Sequence, residues 1–258
     1  MGRGFPCMRV CWKGSVRVTG NDYLADPTLK RAYNRKLFAI VAPRYRLATG
    51  VLSFFQDRSW KKRLVGLLPE VAPGELLVDL ACGTGEITRA LAVACPQARV
   101  IGADITPAMI GIAARITGQK SLLLTIQDMS AMGVKSGAAA IVTGGYALRN
   151  APELSAVISE TARMLKKGGT AVFLDFTKSP RRRLARLQGL TLLWWGAMWG
   201  VLLHGKPSVY AYISRSLVAY PTRTELHVLF EKAGFTVQRS IITMFGFIEI
   251  LLVKKKTA

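Results

Sequence analysis

The chain has 258 residues, half of them hydrophobic, which is enough to bury the core of one elaborated domain and excludes a disordered chain. Its four cysteines, Cys7, Cys11, Cys82 and Cys95, form no C-x-x-C pair, so the composition argues against a disulfide scaffold and for a reducing, cytoplasmic setting. The net charge of +21 is segregated: residues 1–63 hold 14 basic and 3 acidic side chains, residues 64–175 hold 9 of each, and residues 176–258 hold 13 and 3. A neutral centre between two basic flanks points to an anionic partner met by the flanks, a membrane surface or a nucleic acid.

Residues 1–21 carry Arg3, Arg9, Lys13 and Arg17, no acid and little periodicity, and read as a mostly disordered tail or a transit peptide. A basic, flexible extension is expected over residues 1–35 and a single domain over 36–258. Residues 27–47 and 50–68 predict two or three short helices, a cap on that domain. From Leu76 the pattern alternates. Strands are predicted at 76–81, 98–103, 121–126, 138–144 and 170–176, and helices at 86–95, 106–116 and 152–166. Thr106-Pro107 is a helix start and Lys166-Lys-Gly-Gly169 a helix stop. The alternation predicts an α/β, Rossmann-like fold: a seven-stranded, mostly parallel sheet with helices on both faces and ligands at the strands' carboxyl ends.

After Asp175 the alternation breaks. An apolar and basic insertion is expected at 178–220, and residues 176–224 hold eight Lys or Arg and no acid. The basic cluster Arg181–Arg186 precedes the Trp-rich run Gly189–Leu203, which falls short of the ~20 residues needed to span a bilayer. It reads either as a segment lying in a membrane interface or as a buried helix. Thr222-Arg-Thr-Glu225 is a capping box opening a helix through Lys232, and strands at 235–240 and 244–253 complete the sheet.

The densest chemical signal is Val78-Asp-Leu-Ala-Cys-Gly-Thr-Gly-Glu-Ile-Thr88, a strand breaking into a glycine loop at a helix start. Asp104 ends the next strand, where a carboxylate suits a ribose diol. The third glycine position of a dinucleotide fingerprint is Thr88 here, and Asp79 and Glu86 are poor company for a pyrophosphate. They suit a ligand with an ammonium or sulfonium group. The loop, with Gly83 and Gly85, resembles motif I of class I methyltransferases that use S-adenosylmethionine (SAM), with a nicotinamide cofactor as the alternative. Asp128, just past the third strand, can accept from an adenine amino group. No N/D-P-P-Y/F motif follows the fourth strand, which weighs against methylation of nucleic-acid bases.

Several stretches together resemble the ubiquinone/menaquinone biosynthesis C-methyltransferase family (UbiE/MenG). Its F-G-L-R-N signature appears as Tyr146-Ala-Leu-Arg-Asn150, and its A-x-x-Y-D…W-K segment as Ala42-Pro-Arg-Tyr45-Arg46…Trp60-Lys61. Its L-K-P-G-G…L-E-F-S-K appears as Leu165-Lys-Lys-Gly-Gly169…Leu174-Asp-Phe-Thr-Lys178. Tyr210-Ala-Tyr212-Ile, Ser216-Leu217, Pro221 and Ala233-Gly-Phe235 match its late elements, so the likeness runs from about residue 36 to the end.

The resemblance implies C-methylation of a polyprenylated quinol ring, with SAM contacts at Thr88, Asp104, Asp128, Met129 and Gly145 and no metal. Arg46, Met129 and Ala140 depart from the family pattern. Ring methylation needs a phenolate, and Arg149 is the candidate to stabilise it, with Tyr45 and Asn150 orienting the ring. Plainer roles stand beside these: Arg149 paired with an acid, Asn150 capping the helix at 152–166, Tyr45 in packing. His204 is a weaker candidate base, and His227 is read as structural. The expected partners are the quinol and an anionic membrane at its cytoplasmic face, met by the flanks and residues 181–203, with no nucleic acid and self-association left open. The alternatives are a basic RNA methyltransferase and a non-catalytic SAM-binding subunit of a quinone-biosynthesis assembly.

Overall fold

The computed structural model describes residues 26–116 and 122–257. The readings made for residues 1–21, and for Cys7 and Cys11, lie outside them. The described chain opens with α1 (Pro27–Val41), capped by Asp26, whose carboxylate accepts from the amides of Thr28 and Leu29 at 2.7 and 3.1 Å. A 3₁₀ turn leads into α2 (Tyr45–Leu52), and α3 (Asp57–Val65) follows.

The alternating core then runs β1 (Leu76–Leu80), α4 (Glu86–Ala94), β2 (Arg99–Asp104), α5 (Pro107–Ile116), β3 (Leu122–Ile126), β4 (Ala139–Gly145), α6 (Leu154–Met164) and β5 (Leu165–Phe176). Two long helices interrupt it, α7 (Arg182–His204) and α8 (Ser208–Ala219), before α9 (Arg223–Lys232), β6 (Phe235–Thr243) and β7 (Ile248–Lys255). The seven strands form one sheet in the order β3-β2-β1-β4-β5-β7-β6, with β7 antiparallel to both of its neighbours. This is the predicted α/β architecture. The strand order reverses between β1 and β4, which opens a crevice above their carboxyl ends.

Val78, Leu80, Val142 and Phe173 belong to the core on one face of the sheet, and Leu77, Ile141, Val172 and Leu174 to the core on the other. Alternation along strands buried on both faces produces this pattern. A third, separate cluster joins Leu37, Val41, Ala48, Met109, Val209, Tyr210 and Tyr212. It fastens α1, α2, α5 and α8 into a cap over the sheet's carboxyl edge.

Several boundaries differ from the sequence reading. The helix predicted at 152–166 ends at Met164, because Leu165 is already extended (ψ 136°) and pairs with Ala139 of β4. Asn150 does not cap it: Glu153 holds the N-cap position, and the Asn150 amide donates instead to the Tyr146 carbonyl at 2.6 Å. The last strand begins at Ile248 rather than 244, since Met244 and Phe245 adopt left-handed conformations (φ 50° and 54°) that no strand accommodates. The Trp-rich run is one helix with a packed face and an exposed face. Gln188, Leu192, Gly196 and Gly200 form a buried stripe of α7, while Leu187, Leu190, Trp194, Met198 and Val201 are exposed on the other face.

Candidate active site

The turn after β1 folds back through three left-handed residues, Ala81 (φ 48°), Gly83 (φ 56°) and Gly85 (φ 77°). Glycine adopts this region freely; alanine does so at a cost, a sign of strain held at a site. The reversal points the Gly83 amide at the Asp104 carboxylate, 2.9 Å away, and the other Asp104 oxygen accepts from the Thr106 amide at 2.8 Å. Asp104 is thus fixed across the loop with acceptor capacity to spare, since a carboxylate has about four lone-pair sites. Burial pushes its pKa above the ordinary carboxylate range, and the two amide bonds pull against that.

Beneath the loop lies Asp79, fully buried. Its oxygens accept from the hydroxyls of Thr88 (2.6 Å) and Thr143 (2.8 Å). Burial raises its pKa to about 6 despite these bonds. Thr88 therefore turns its hydroxyl to Asp79 under the loop. A side chain on Gly102 would put its first carbon 2.7 Å from the Thr88 methyl, so a glycine in β2 leaves the space that Thr88 fills.

Above the strand ends a cavity of about 620 Å³ is floored by Ala81, Gly83, Asp104, Asp128, Met129 and Gly145 and roofed by Arg31, Asn34, Phe38 and Tyr45. Asn34 ties the roof to the floor by donating to the Asn150 carbonyl at 2.7 Å. The side-chain carbonyl oxygens of Asn34 and Asn150 are buried with no hydrogen-bond partner among the described residues. Unmet acceptors in a cavity await donors. A ribose diol, an amino group and a cationic centre supply what this cavity lacks, so its residues fit SAM; a pyrophosphate would bring still more acceptors. Asp128 lines the cavity, but its oxygens already accept from the Ser130 amide (2.9 Å) and hydroxyl (2.7 Å) and pair with Arg31 (2.6 Å).

A second cavity of about 680 Å³ adjoins the first, with Phe38, Tyr45, Tyr146 and Asn150 as common walls. The rest of it is mostly apolar, with Leu37, Val41, Trp60, Phe176, Tyr212, Ile213 and Ile248. Arg149 enters it from β4's carboxyl end. The guanidinium lies 5.0 Å from the Phe176 ring centre and 5.9 Å from that of Tyr212, with Nε 3.6 Å from the Asp175 carboxylate and Nη1 donating to Ser216. The plainer reading of Arg149, paired with an acid, therefore holds, and Arg149 also faces the apolar cavity. Burial raises the Tyr45 pKa, so this phenol is held neutral.

A third, small cavity of about 300 Å³ lies between Tyr45, Lys61, Asp79, Gly83, Glu86 and Tyr146. Here Asp57, Lys61 and Glu86 form an ion-pair network, with Lys61 2.7 Å from Asp57. Arg46 completes it at 3.1 Å from Glu86. The charge reversal at position 46 is thus matched by an acid, and Ala140 is a buried core residue, so neither departure breaks the cavities. His204 bonds the Tyr210 hydroxyl at 2.9 Å and His227 pairs with Glu249 at 2.6 Å; neither lines the two large cavities.

The structure brings Gly83, Asp104, Asp128, Met129 and Gly145 together around one cavity, and Arg149 around the next; Tyr45 and Asn150 border both. Asp79 reaches only the small third cavity, and Thr88 and Gly85 line none of the three. Sequence reasoning missed Asn34 and the Asp57–Lys61–Glu86 network. Asn34 falls inside the stretch read as an extension. Asp57 gives no local signal, because its partners lie in other elements.

An open sheet of this order, with an acceptor-lined cavity at its switch point, defines a class I SAM-dependent methyltransferase. More specifically, a family model described as the ubiE/COQ5 methyltransferase family matches residues 27–252, and the chain belongs to that family. The match begins at residue 27 rather than near 36 and so includes α1. A demethylmenaquinone methyltransferase of Thermus thermophilus is 32% identical over 212 residues, covering 81% of this chain and 96% of the relative. A 2-phytyl-1,4-naphthoquinone methyltransferase of Thermosynechococcus vestitus is 31% identical, covering 85% and 97%. Among solved structures, a chain from the complex of the Haloferax volcanii Trm112 methyltransferase activator with a methyltransferase shares the fold at TM-score 0.60 and 19% identity, covering 85% and 97%. The family favours neither an RNA methyltransferase nor a non-catalytic subunit.

Proposed function

We propose that the protein methylates a ring carbon of a polyprenylated quinol, of the demethylmenaquinol type, at the cytoplasmic face of a membrane. The observation that carries this reading is the apolar cavity sharing four walls with the cofactor cavity, with Arg149 as its buried cation. Gly83, Asp104, Met129, Gly145, Asn34 and Asn150 would hold SAM, which when bound supplies an electrophilic methyl group on sulfur.

The chain's own residues do the rest. Phe38, Trp60 and Phe176 exclude water and seat a flat ring. Tyr45 and Asn150 orient it against the cofactor side. The Arg149 guanidinium is positioned by Ser216 and Asp175, so it is in place before a phenolate develops. Holding ring and methyl donor together in adjoining cavities supplies the proximity that a bimolecular transfer lacks.

The membrane part of the proposal is supported by α7. Its exposed apolar stripe continues into Phe54 and Phe55, with Phe54 stacked on Trp195 at 4.8 Å, and Arg182, Arg183 and Arg186 stand at its start. No helix among the described residues is long and apolar enough to cross a membrane. A helix with one face packed and the other apolar and rimmed by cations suits an interface.

The test incubates the purified protein with methyl-labelled SAM, a short-chain demethylmenaquinol, a demethylated benzoquinol and RNA. Label in the extracted naphthoquinol is the expected result. Label confined to the benzoquinol changes the ring; label in RNA or in nothing overturns the proposal.

A further inference from the structure

The reaction above leaves unassigned the group that takes the proton from the quinol hydroxyl. We propose that Tyr146 and Asp57 form a relay that accepts this proton at the junction of the two large cavities. The inference rests on the quinol reading and adds its base.

Tyr146 stands where the family signature carries Phe, so its hydroxyl is an addition to that signature. Its ring borders the cofactor cavity, the apolar cavity and the small polar one. The residue is held at φ 58°, unusual for a bulky side chain, by its amide donating to the Leu174 carbonyl at 2.6 Å and its carbonyl accepting from Asn150 at 2.6 Å. The hydroxyl donates to Asp57 Oδ1 at 2.7 Å. Asp57 is 6% exposed, and its other oxygen meets the Lys61 ammonium at 2.7 Å.

The other groups at the junction serve less well. Arg149 is a donor only. Asn150 does not ionise. Asp175 lines neither cavity and accepts from the amides of Arg149 (2.9 Å) and Phe176 (2.7 Å). The charged and titratable groups facing Tyr146 are Tyr45 of α2, Asp57 and Lys61 of α3, and Asp175 of β5. Burial raises the Tyr146 pKa, so it passes a proton on rather than holding a charge.

In the step, the quinol O–H bond breaks and its proton moves to the Tyr146 oxygen as the Tyr146 proton moves to Asp57. The electron pair stays on the quinol oxygen and makes the neighbouring ring carbon nucleophilic. After methyl transfer that carbon loses its hydrogen as a proton to water, which restores the aromatic ring and leaves its oxygen anionic. Asp57 then returns its proton through Tyr146 to that oxygen. One proton is released per turnover and the relay is reset.

The test uses the full chain, SAM and a short-chain demethylmenaquinol. Tyr146→Phe keeps the ring and removes the relay. It should lower kcat about a hundredfold near pH 7 and leave the SAM Kd and the quinol KM unchanged. Its rate should climb about tenfold per pH unit toward the phenol's own pKa of about 10, a profile that a purely structural role does not produce. Asp57→Asn should show the same profile, and the double variant should lose no more than either single one. If Asp57→Asn does not fold, Tyr146→Phe decides alone. Wild-type kcat and pH profile in Tyr146→Phe overturn the relay while the quinol reading stands. A wild-type protein that methylates no quinol overturns both.

Discussion

At the scale of single residues, motif I and Asp104 were legible because spacing along a strand–turn–helix sets where side chains go. What spacing does not reveal is which way a side chain turns once its neighbours arrive. Asp79 and Thr88, read from the sequence as cofactor contacts, hydrogen-bond each other below the loop. Asp79 carries a testable consequence. Its pKa is raised from 3.8 to about 6 in the folded protein. Its contribution to stability is therefore fully present below about pH 4 and lost as the pH rises through 6, worth on the order of 3 kcal/mol for a shift of this size. Asp79→Asn should flatten the change of Tm between about pH 4 and 6 relative to wild type; an unaltered slope would contradict the buried assignment. Arg149 has two roles to separate. Arg149→Ala should lower kcat by about 10²–10³ with SAM affinity unchanged. It should also lower Tm, because Asp175 is left buried without its cation. Turnover equal to wild type would remove Arg149 from the mechanism.

At the scale of elements, the alternation of strand and helix was read within a few residues, since apolar periodicity reports buried faces directly. The Trp-rich run resisted that reading because it has two apolar faces with different neighbours. One is explained by its glycines. A first side-chain carbon on Gly196 would lie 2.7 Å from the Tyr210 carbonyl oxygen, and one on Gly200 2.5 Å from that of Lys206. Gly196 thus lets α8 pack directly on the backbone of α7, and Gly200, one turn on, lets the turn into α8 do the same. Gly196→Leu should cost about 1–3 kcal/mol through overpacking, read as a lower denaturation midpoint, even though leucine is the better helix former. A midpoint equal to wild type would mean that the two helices do not meet this closely. The α1–α3 cap was legible as helices but not as a roof, because what makes it one is contact between distant segments, such as Asn34 with the loop after β4.

For the whole molecule, the segregation of charge was readable by counting, and the fold gives it a location. The neutral stretch, residues 64–175, builds β1 to β5 and most of the cofactor cavity, while the basic flanks build α1–α3 and α7–α8 around the apolar one. Reversing Arg182, Arg183 and Arg186 to Glu should weaken sedimentation with anionic vesicles and leave binding to neutral vesicles unchanged, and salt should weaken the wild-type interaction in the same way. Equal wild-type binding to neutral vesicles would sink the electrostatic part. The common walls of the two large cavities have a thermodynamic corollary. Phe38, Tyr45, Tyr146 and Asn150 face both cavities, so a ligand that fixes them from one side sets the wall that the other ligand meets. Cooperativity of this kind is reciprocal: the factor by which cofactor tightens quinol must equal that by which quinol tightens cofactor. Titrations run in both orders should return one ratio, greater than one. An enzyme with such walls makes scarcity of either ligand felt as weaker grip on the other.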